Sequence, residues 1–497
     1  MPNIAIAALS VSFLVSATIS QAGVAQTVVV PISTFQQAQS TGVCASNLTN
    51  TLNRIVTRTS GVRWGVLVQT QGAVGSRRSL YAWNPRTQLI PASNNKIFTT
   101  AAALQRLGAA YRMRTIVTGN STSANLSTLR ILGQGDPSLT TAHMTVLAQR
   151  LSQRGIQQTA LLVGDDTYFR GAAINPNWDA DDTLAGYGAP VNSLMINQNG
   201  IGVTLFPQRV GQPLRVQWDD PSDAQDYRLN NQSVTVSASQ GESIDVYRDR
   251  NSRVVNIEGQ LRVGSVSEPA AAAINNPGNY LVQKFRNALT AAKITVNQAT
   301  VVKNTPALPG EVELAVVESP PLSMLLNETN QESNNIYAEA LLKTVGKAQN
   351  PNNLDATAAG VAGVKAVLTP LGVDANQYTM VDGSGLAANN RASAEAFVQT
   401  LQAMTLIPDA ATFRASLPVA GVSGTLKSRF RNTAAQGRVQ AKTGTISGVV
   451  SLSGYVAPLN HPPLVFSILT NASGVSASTV RNAVDEMVLV LVGIRQC

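Results

Sequence analysis

The stretch "LIPASNNKIFTTAAAL", Leu89 to Leu104, decides how the rest of the chain is read. Pro91-Ala92 and a polar Ser93-Asn94-Asn95-Lys96 run directly into Ile, Phe, Thr and Ala, the composition of a helix that enters a core. Residues at i and i+3 share a helix face one turn apart, so the Lys96 amine reaches the Ser93 hydroxyl. A lysine held in a dry site beside another cation gives up its proton more readily and can then accept one from a hydroxyl. The start of a helix adds backbone N–H groups and the positive end of its dipole, both favourable to a developing oxyanion. Alone, a Ser-x-x-Lys pair is usually a capped surface turn, yet no other lysine of the chain follows a serine by three.

The histidines make the lysine necessary. Only His143, in "TTAHMTVLAQRL", and His461, in "LNHPPL", are present, and neither has a motif around it. A Ser-His-Asp triad needs a histidine beside the nucleophile, so serine chemistry here must use another base. With only Cys44 and Cys497 besides, a Cys/His metal site is excluded by numbers, and no metal or cofactor is expected.

The chain has 497 residues, 44% of them hydrophobic, enough for roughly three domains of about 150 residues. Lys and Arg exceed Asp and Glu by 37 to 28, a formal charge of +9, but the basic residues are scattered and form no long run. That argues against a nucleic-acid groove and suits an anionic polymer or surface. The uncharged apolar stretch "IAIAALSVSFLVSATIS" from Ile4 precedes "QAGVAQ", whose small residues suit cleavage after Ala25. Residues 1–25 therefore read as a secretory signal lacking the usual basic start, with a buried N-terminal helix as the alternative. No later stretch reaches about 18 apolar residues, so no further membrane anchor is expected.

Texture changes along the chain. Residues from about 35 to 108 read as helix, two strands and the helix near Ser93. From about 110 to 310 alternating β-branched segments dominate, such as "RTIVTG", "IGVTLFP" and "RVVNIEGQLRVG", with helices expected at 140–154 and 278–292. After about 320 the chain is helical again and closes with strands and a last helix. Helices and strands at both ends around a foreign β-rich block indicate one domain split by an insertion.

Two more triplets complete the chemistry. Ser333-Asn334-Asn335 opens "IYAEALLK", and Lys442-Thr443-Gly444-Thr445 lies on an expected strand. The order Ser-x-x-Lys, Ser-x-Asn, Lys-Thr-Gly resembles the active-site set of penicillin-binding proteins and serine β-lactamases. Ser93 and Ser333 are 240 residues apart (333 − 93), far more than a compact domain of that kind needs. Together with "GQGDPSL" (133–139), "GDDTYF" (164–169), "YGAPVNSLMINQN" (187–199), "VDGSGLA" (381–387), "LPVAGVSGTLKSRF" (417–430) and "AKTGTISGVVSLSGYV" (441–456), this resembles the class C low-molecular-mass penicillin-binding proteins, the D-alanyl-D-alanine carboxypeptidase/endopeptidase group.

The resemblance implies an α/β (α+β) transpeptidase domain, residues 35–112 and 312–497, with a central antiparallel sheet between helical layers. Residues 113–311 would be a β-rich insertion of two nested domains. It implies that Ser93 attacks the carbonyl between two D-alanines and Lys96 takes its proton. Ser333 and Asn335 would line the opposite wall, Ser333 passing a proton to the leaving amine. Lys442, Thr443 and Thr445 would bind the terminal carboxylate, with Gly444 between them, and the N–H groups of Ser93 and Thr445 would form the oxyanion hole. Peptidoglycan stem peptides are the implied substrates, and β-lactams covalent inhibitors, in an extracytoplasmic space.

Three positions differ from the family pattern. Asn334 stands where Asp is familiar, and Ala387-Ala388 where Ser-Arg is frequent, with Arg391 three residues on. Asp179, Asp181 and Asp182, ahead of Tyr187, fall where the family places a pocket for the amino end of diaminopimelate, and a solvated acidic loop is the plain alternative for them. A β-lactamase would need a deacylating base: no Glu-x-x-Leu-Asn is present, and Ser333 holds the position of the class C tyrosine. A catalytically silent wall-binding homologue is the other reading, against which the intact motifs stand. Finally, two cysteines in an exported chain fit one disulfide or two separate thiols. The implied fold puts the first and last helices on one side of the sheet, which would make Cys44 and Cys497 neighbours.

Overall fold

The computed structural model describes residues 42–249, 251–303 and 310–497; the expected signal segment 1–25 and the start of the first half-domain at 35 lie outside them. The described chain begins with α1 (Leu48–Arg58), β1 (Val62–Thr70), β2 (Ser79–Trp83) and α2 (Lys96–Leu107). Next come β3 (Arg114–Gly119), β4 (Asn125–Gly133), α3 (Thr141–Gln153) and β5 (Gln158–Asp165). Short strands follow: β6 (Gly200–Phe206), β7 (Arg215–Trp218), β8 (Arg228–Asn231), β9 (Val234–Val236), β10 (Ser243–Tyr247), β11 (Val254–Arg262) and β12 (Glu268–Ala273). α4 (Pro277–Ala291), β13 (Thr295–Val302) and β14 (Val312–Glu318) lead to α5 (Leu322–Gln331), α6 (Asn335–Gln349) and α7 (Ala356–Leu368). The chain ends with β15 (Tyr378–Thr379), β16 (Arg391–Ala392), α8 (Ala394–Met404), α9 (Ala410–Ala415), β17 (Val439–Ile446), β18 (Val449–Val456), β19 (Leu464–Ala472) and α10 (Ala477–Val492).

Strands from the two ends of the chain share one antiparallel sheet, in the order β17-β18-β19-β1-β2. Successive side chains of a strand point to opposite faces, and the sequence obeys that period. Trp64, Val66 and Val68 of β1 and Phe466 and Ile468 of β19 pack with α1 and α10. The intervening Leu67, Val465 and Leu469 join the core built by α2, α5, α6, α7 and α8. A sheet buried on both faces reads as a near-continuous apolar run, as "LVFSILT" does here.

α2 is the centre of the second layer. Its first nine residues, Lys96 to Leu104, are all buried, so the helix presents polar residues to solvent only in its last turn, at Gln105 and Arg106. Phe98 stacks between Tyr378 and Phe397, with ring centroids 4.6 and 4.4 Å away. On the other face, α1 and α10 are joined by the Arg58–Glu486 ion pair and by a Cys44–Cys497 disulfide with a Cα–Cα distance of 5.5 Å.

The β-rich block holds its own sheets. β13-β5-β4-β3-β14 form one, with β4, β5 and β13 mutually parallel and β3 and β14 antiparallel additions. The segments between β5 and β13 form the strand groups β12-β6-β7 and β10-β11-β8, with β9 also on β11. The boundary expected at 311/312 falls ahead of β14, yet β14 pairs with β3, and Leu314, Ala315 and Val317 enter the core of the inserted block. The turn at Ser319, whose N–H donates to Met113 O at 2.9 Å, is the point where the chain rejoins α2 and α5. β12 carries no strand signal in its sequence: "EPAAAA" lacks β-branched residues, and it is a strand because it pairs along β6 from Glu268↔Leu205 to Ala273↔Gly200.

Candidate active site

Ser93 lies on a single 3-10 turn, Ala92–Asn95, that runs into α2. The residue before it, Ala92, has φ +48°, a left-handed conformation that costs a residue with a Cβ roughly 1–2 kcal/mol. The turn is held from the strand side: Ser451 Oγ of β18 donates to Pro91 O at 2.7 Å, and Asn94 Nδ2 donates to Ser453 Oγ at 2.7 Å. Gly444 of β17 makes the approach possible, because a Cβ there would stand 2.2 Å from Ser451 Oγ and 2.7 Å from Pro91 O. The glycine of the Lys-Thr-Gly triplet is thus required by packing against the turn that carries Ser93.

Lys96 is fully buried, and its Nζ reaches three oxygens: Ser93 Oγ at 2.9 Å, Asn335 Oδ1 at 2.7 Å and the main-chain oxygen of Ser384 at 2.8 Å. Burial pushes its ammonium down from the usual 10.5 to about 7, against the opposing pull of Asp382 and Glu339. The expected lowering is present, and its main cause is loss of water rather than a neighbouring cation.

Ser333 and Asn335 come from the turn into α6. Asn334 caps that helix, its Oδ1 accepting the N–H groups of Ile336 and Tyr337, while its Nδ2 donates to Gln198 at 2.7 Å. Ser333 adopts φ +59° just ahead of the cap, which turns its side chain toward β17. Lys442 Nζ donates to Ser333 Oγ at 2.8 Å and to Thr443 O at 2.9 Å. Burial first, and the Lys96 charge second, hold the Lys442 ammonium well below the ordinary lysine value. Thr443 Oγ1 shares a 2.8 Å hydrogen bond with Thr425, and Thr445 is exposed at the end of the motif.

Ser93, Lys96, Ser333, Asn335 and Lys442 therefore converge on one cluster. The acidic loop divides. Tyr187 and Asp181 line a cavity of about 1340 Å³ together with Gln198, Ser333, Asn334 and Asn335. Asp179 and Asp182 are not among its lining residues; Asp182 instead accepts the Tyr187 hydroxyl at 2.8 Å, and Tyr187 O accepts Asn335 Nδ2 at 3.1 Å. Arg391 is turned onto its own loop, donating to Ala388 O and Asn390 O.

Sequence reasoning missed the loop 382–387 as part of the site. Asp382, fully buried, accepts Gly385 N, Ala387 N, Asn390 Nδ2 and Trp178 Nε1 at 2.7–3.0 Å. The signal was available in "DGSGL", an Asp followed by two turn glycines, a frequent form of an Asp-organised loop.

The chain thus carries a serine, two buried lysines and an Asn amide in one enclosed site, within a sheet flanked by helices: the frame of a serine peptidase of the penicillin-binding type. The D-Ala-D-Ala carboxypeptidase 3 (S13) family matches residues 46–492, and the chain belongs to that family as a serine-type DD-peptidase. It is 34% identical over 423 residues to a D-alanyl-D-alanine carboxypeptidase of Actinomadura sp. (strain R39), covering 82% of this chain and 78% of the relative. It is 27% identical over 469 residues to penicillin-sensitive carboxypeptidase A of Dictyostelium discoideum, covering 87% of both. Among solved structures, penicillin binding protein 4 of Haemophilus influenzae shares the fold at a TM-score of 0.73 and 23% identity, over 90% of this chain and 98% of that one.

Proposed function

We propose that Ser93 is the nucleophile and Lys96 its general base in the hydrolysis of D-Ala-D-Ala-type bonds of peptidoglycan stem peptides. The observation that carries this is the 2.9 Å contact between Lys96 Nζ and Ser93 Oγ in a site where burial brings the amine to about 7. Lys96 takes the hydroxyl proton as Oγ adds to the carbonyl carbon, and the N–H groups of Ser93 and Thr445 receive the oxyanion. Ser333, beside Lys442, passes a proton to the leaving amine, and water then hydrolyses the acyl-enzyme. Lys442, Thr443 and Thr445 bind the substrate carboxylate, a charge-assisted contact. A β-lactam enters the same path and stalls as the Ser93 ester.

Action on cross-linked stems as well as on free stem termini is favoured by the cavity beside Ser333. Its volume of about 1340 Å³ exceeds the roughly 300–1,000 Å³ of an ordinary small-ligand pocket and leaves room for a second peptide. Tyr187 and Asp181 are the proposed contacts for that peptide, with Asp182 holding the Tyr187 hydroxyl. The inserted block is proposed to run from 113 to Glu318 as two nested domains. The apolar N-terminal stretch and the disulfide support action outside the cytoplasm; among the described residues no helix is long and apolar enough to cross a membrane.

Mass mapping of protein treated with penicillin tests the assignment. The adduct is expected on the peptide containing Ser93 and is expected to vanish in Ser93→Ala; an adduct elsewhere, or one that survives the substitution, overturns it. Incubation with purified cross-linked muropeptides separates the two substrate forms by the products released.

A further inference from the structure

Glu339 lies in α6 one turn beyond Asn335 and is 2% exposed. Its Oε1 accepts two backbone N–H groups of the loop across from it, Gly383 at 2.9 Å and Ser384 at 2.7 Å. The same two residues face α2 with their carbonyls: Gly383 O accepts Thr99 Oγ1 at 2.7 Å, and Ser384 O accepts Lys96 Nζ at 2.8 Å. A buried carboxylate is costly, and nothing in the proposed chemistry calls on this one.

The stereochemistry around Lys96 shows what it can do. A neutral amine has two hydrogens and one lone pair. Of the three oxygens around Nζ, Asn335 Oδ1 and Ser384 O are carbonyl oxygens that only accept, whereas the Ser93 hydroxyl can donate. Both N–H bonds are therefore claimed by the two carbonyls, and the lone pair is left facing Ser93 Oγ. If Ser384 O drifted away, one N–H would be free to turn toward Ser93, and the lone pair would swing off the proton it must take.

We infer that Glu339 is a positioning residue that pins the Gly383-Ser384 backbone, so that the Ser384 carbonyl orients the lone pair of Lys96 toward Ser93. The inference rests on Lys96 acting as the base. What Glu339 contributes is an acceptor at a fixed place. Burial, and then the charge of Asp382, raise its carboxyl above the ordinary glutamate value, and an amide oxygen at the same place offers the two N–H groups the same acceptor.

The test is stopped-flow acylation of the full chain by a chromogenic cephalosporin, which separates the dissociation constant of the initial complex from the rate constant of acylation. Glu339→Met, similar in volume but without an acceptor, is expected to lower the acylation rate constant about 10- to 100-fold, the scale of a misplacement near 1 Å, and to leave the dissociation constant unchanged. Glu339→Gln keeps the acceptor and is expected to remain within about threefold of wild type. Should Glu339→Met fail to fold, Glu339→Asp, which withdraws the acceptor by one methylene, is read against Glu339→Gln in the same way. Acylation by the acceptor-less variant at the wild-type rate overturns the inference, as does a Glu339→Gln variant with wild-type melting that is as slow as Glu339→Met. Lys96→Arg, measured alongside, keeps the two readings apart. If it acylates normally, the base assignment fails; if it is silent while Glu339→Met is unimpaired, only the positioning role fails.

Discussion

Lys442 and Ser333, 109 residues apart in the chain, are joined by a 2.8 Å hydrogen bond from Nζ to Oγ across the site that also buries Lys96. Two lysines in one dry site cannot both hold their protons cheaply, and burial together with the Lys96 charge disfavours the ammonium at Lys442. An arriving substrate carboxylate reverses that balance, because an opposite charge favours the protonated amine. Binding of benzylpenicillin to Ser93→Ala is therefore expected to take up protons, to roughly one per site at mildly alkaline pH. Titration calorimetry in two buffers of different ionisation enthalpy measures this; identical heats in both would mean that the amine enters the complex already protonated.

The rate of acylation should follow the neutral form of Lys96. With the amine at about 7 in the folded site, the active fraction falls about tenfold per pH unit below that point and levels off above it. A rate that rises with pH through a midpoint near 7 is the expected profile, and an acidic limb midway below pH 5 would point to a carboxylate instead. Lys96→Arg, permanently charged and unable to accept a proton, should lose roughly 10²–10⁴-fold in acylation with the fold intact.

The residues that touch substrate in this proposal announced themselves in the chain, while those that hold them did not, for a physical reason. Ser93, Lys96, Ser333, Asn335 and Lys442 recur as short triplets because their chemistry fixes residue type and local spacing. Glu339 and Lys343 are i and i+4 in "IYAEALLK", which reads as an exposed ion pair on a helix surface. In the fold α6 is covered on all sides, both residues are buried, and Lys343 Nζ donates to Ala172 O and Val191 O. Those partners lie more than 150 residues away, and no periodicity within one helix reports them. The strands followed the same rule: β3, β6 and β11 show alternation or β-branching, whereas the alanine-rich β12 owes its form to its neighbour β6.

Gly385 allows a direct test of how tightly the 382–387 loop is fitted to the nucleophile turn. Its φ is +82°, and a Cβ there would stand 1.9 Å from Ala92 O and 2.9 Å from Asn95 Cβ. Gly385→Ala has to move backbone rather than a flexible side-chain end. The expected cost is about 1–3 kcal/mol of stability from the conformation and the clash. The displaced turn should also slow acylation. Denaturant unfolding and acylation kinetics of the variant check both, and a variant with unchanged midpoint and rate would show that the loop yields freely.

The disulfide belongs to the opposite face of the sheet from the site, and that separation makes a selective prediction. Cys44 and Cys497 enclose the domain between them, and the backbone beside the bridge is paired as well: Ala45 N donates to Arg495 O at 2.9 Å and Arg495 N to Val43 O at 3.0 Å. Cutting the bridge releases the end of the chain just after α10 and lets it fray, while α2 and α6 pack in the core on the other face of the sheet, and β17, which shares the α1/α10 core through Val439 and Ala441, stays paired along its whole length with β18. In the chain-entropy description, closing a loop of sequence separation 453 stabilises the native state by roughly 6 kcal/mol. Cys44→Ser with Cys497→Ser is therefore expected to lower the melting temperature clearly while acylation by penicillin at 25 °C stays within a few-fold of wild type. Calorimetric melting of both proteins, with thiol titration of the denatured, unreduced wild type, checks the pair of statements. Recovery of two reactive thiols per wild-type chain would remove the bridge, and a double variant that melts normally would remove its stabilising role.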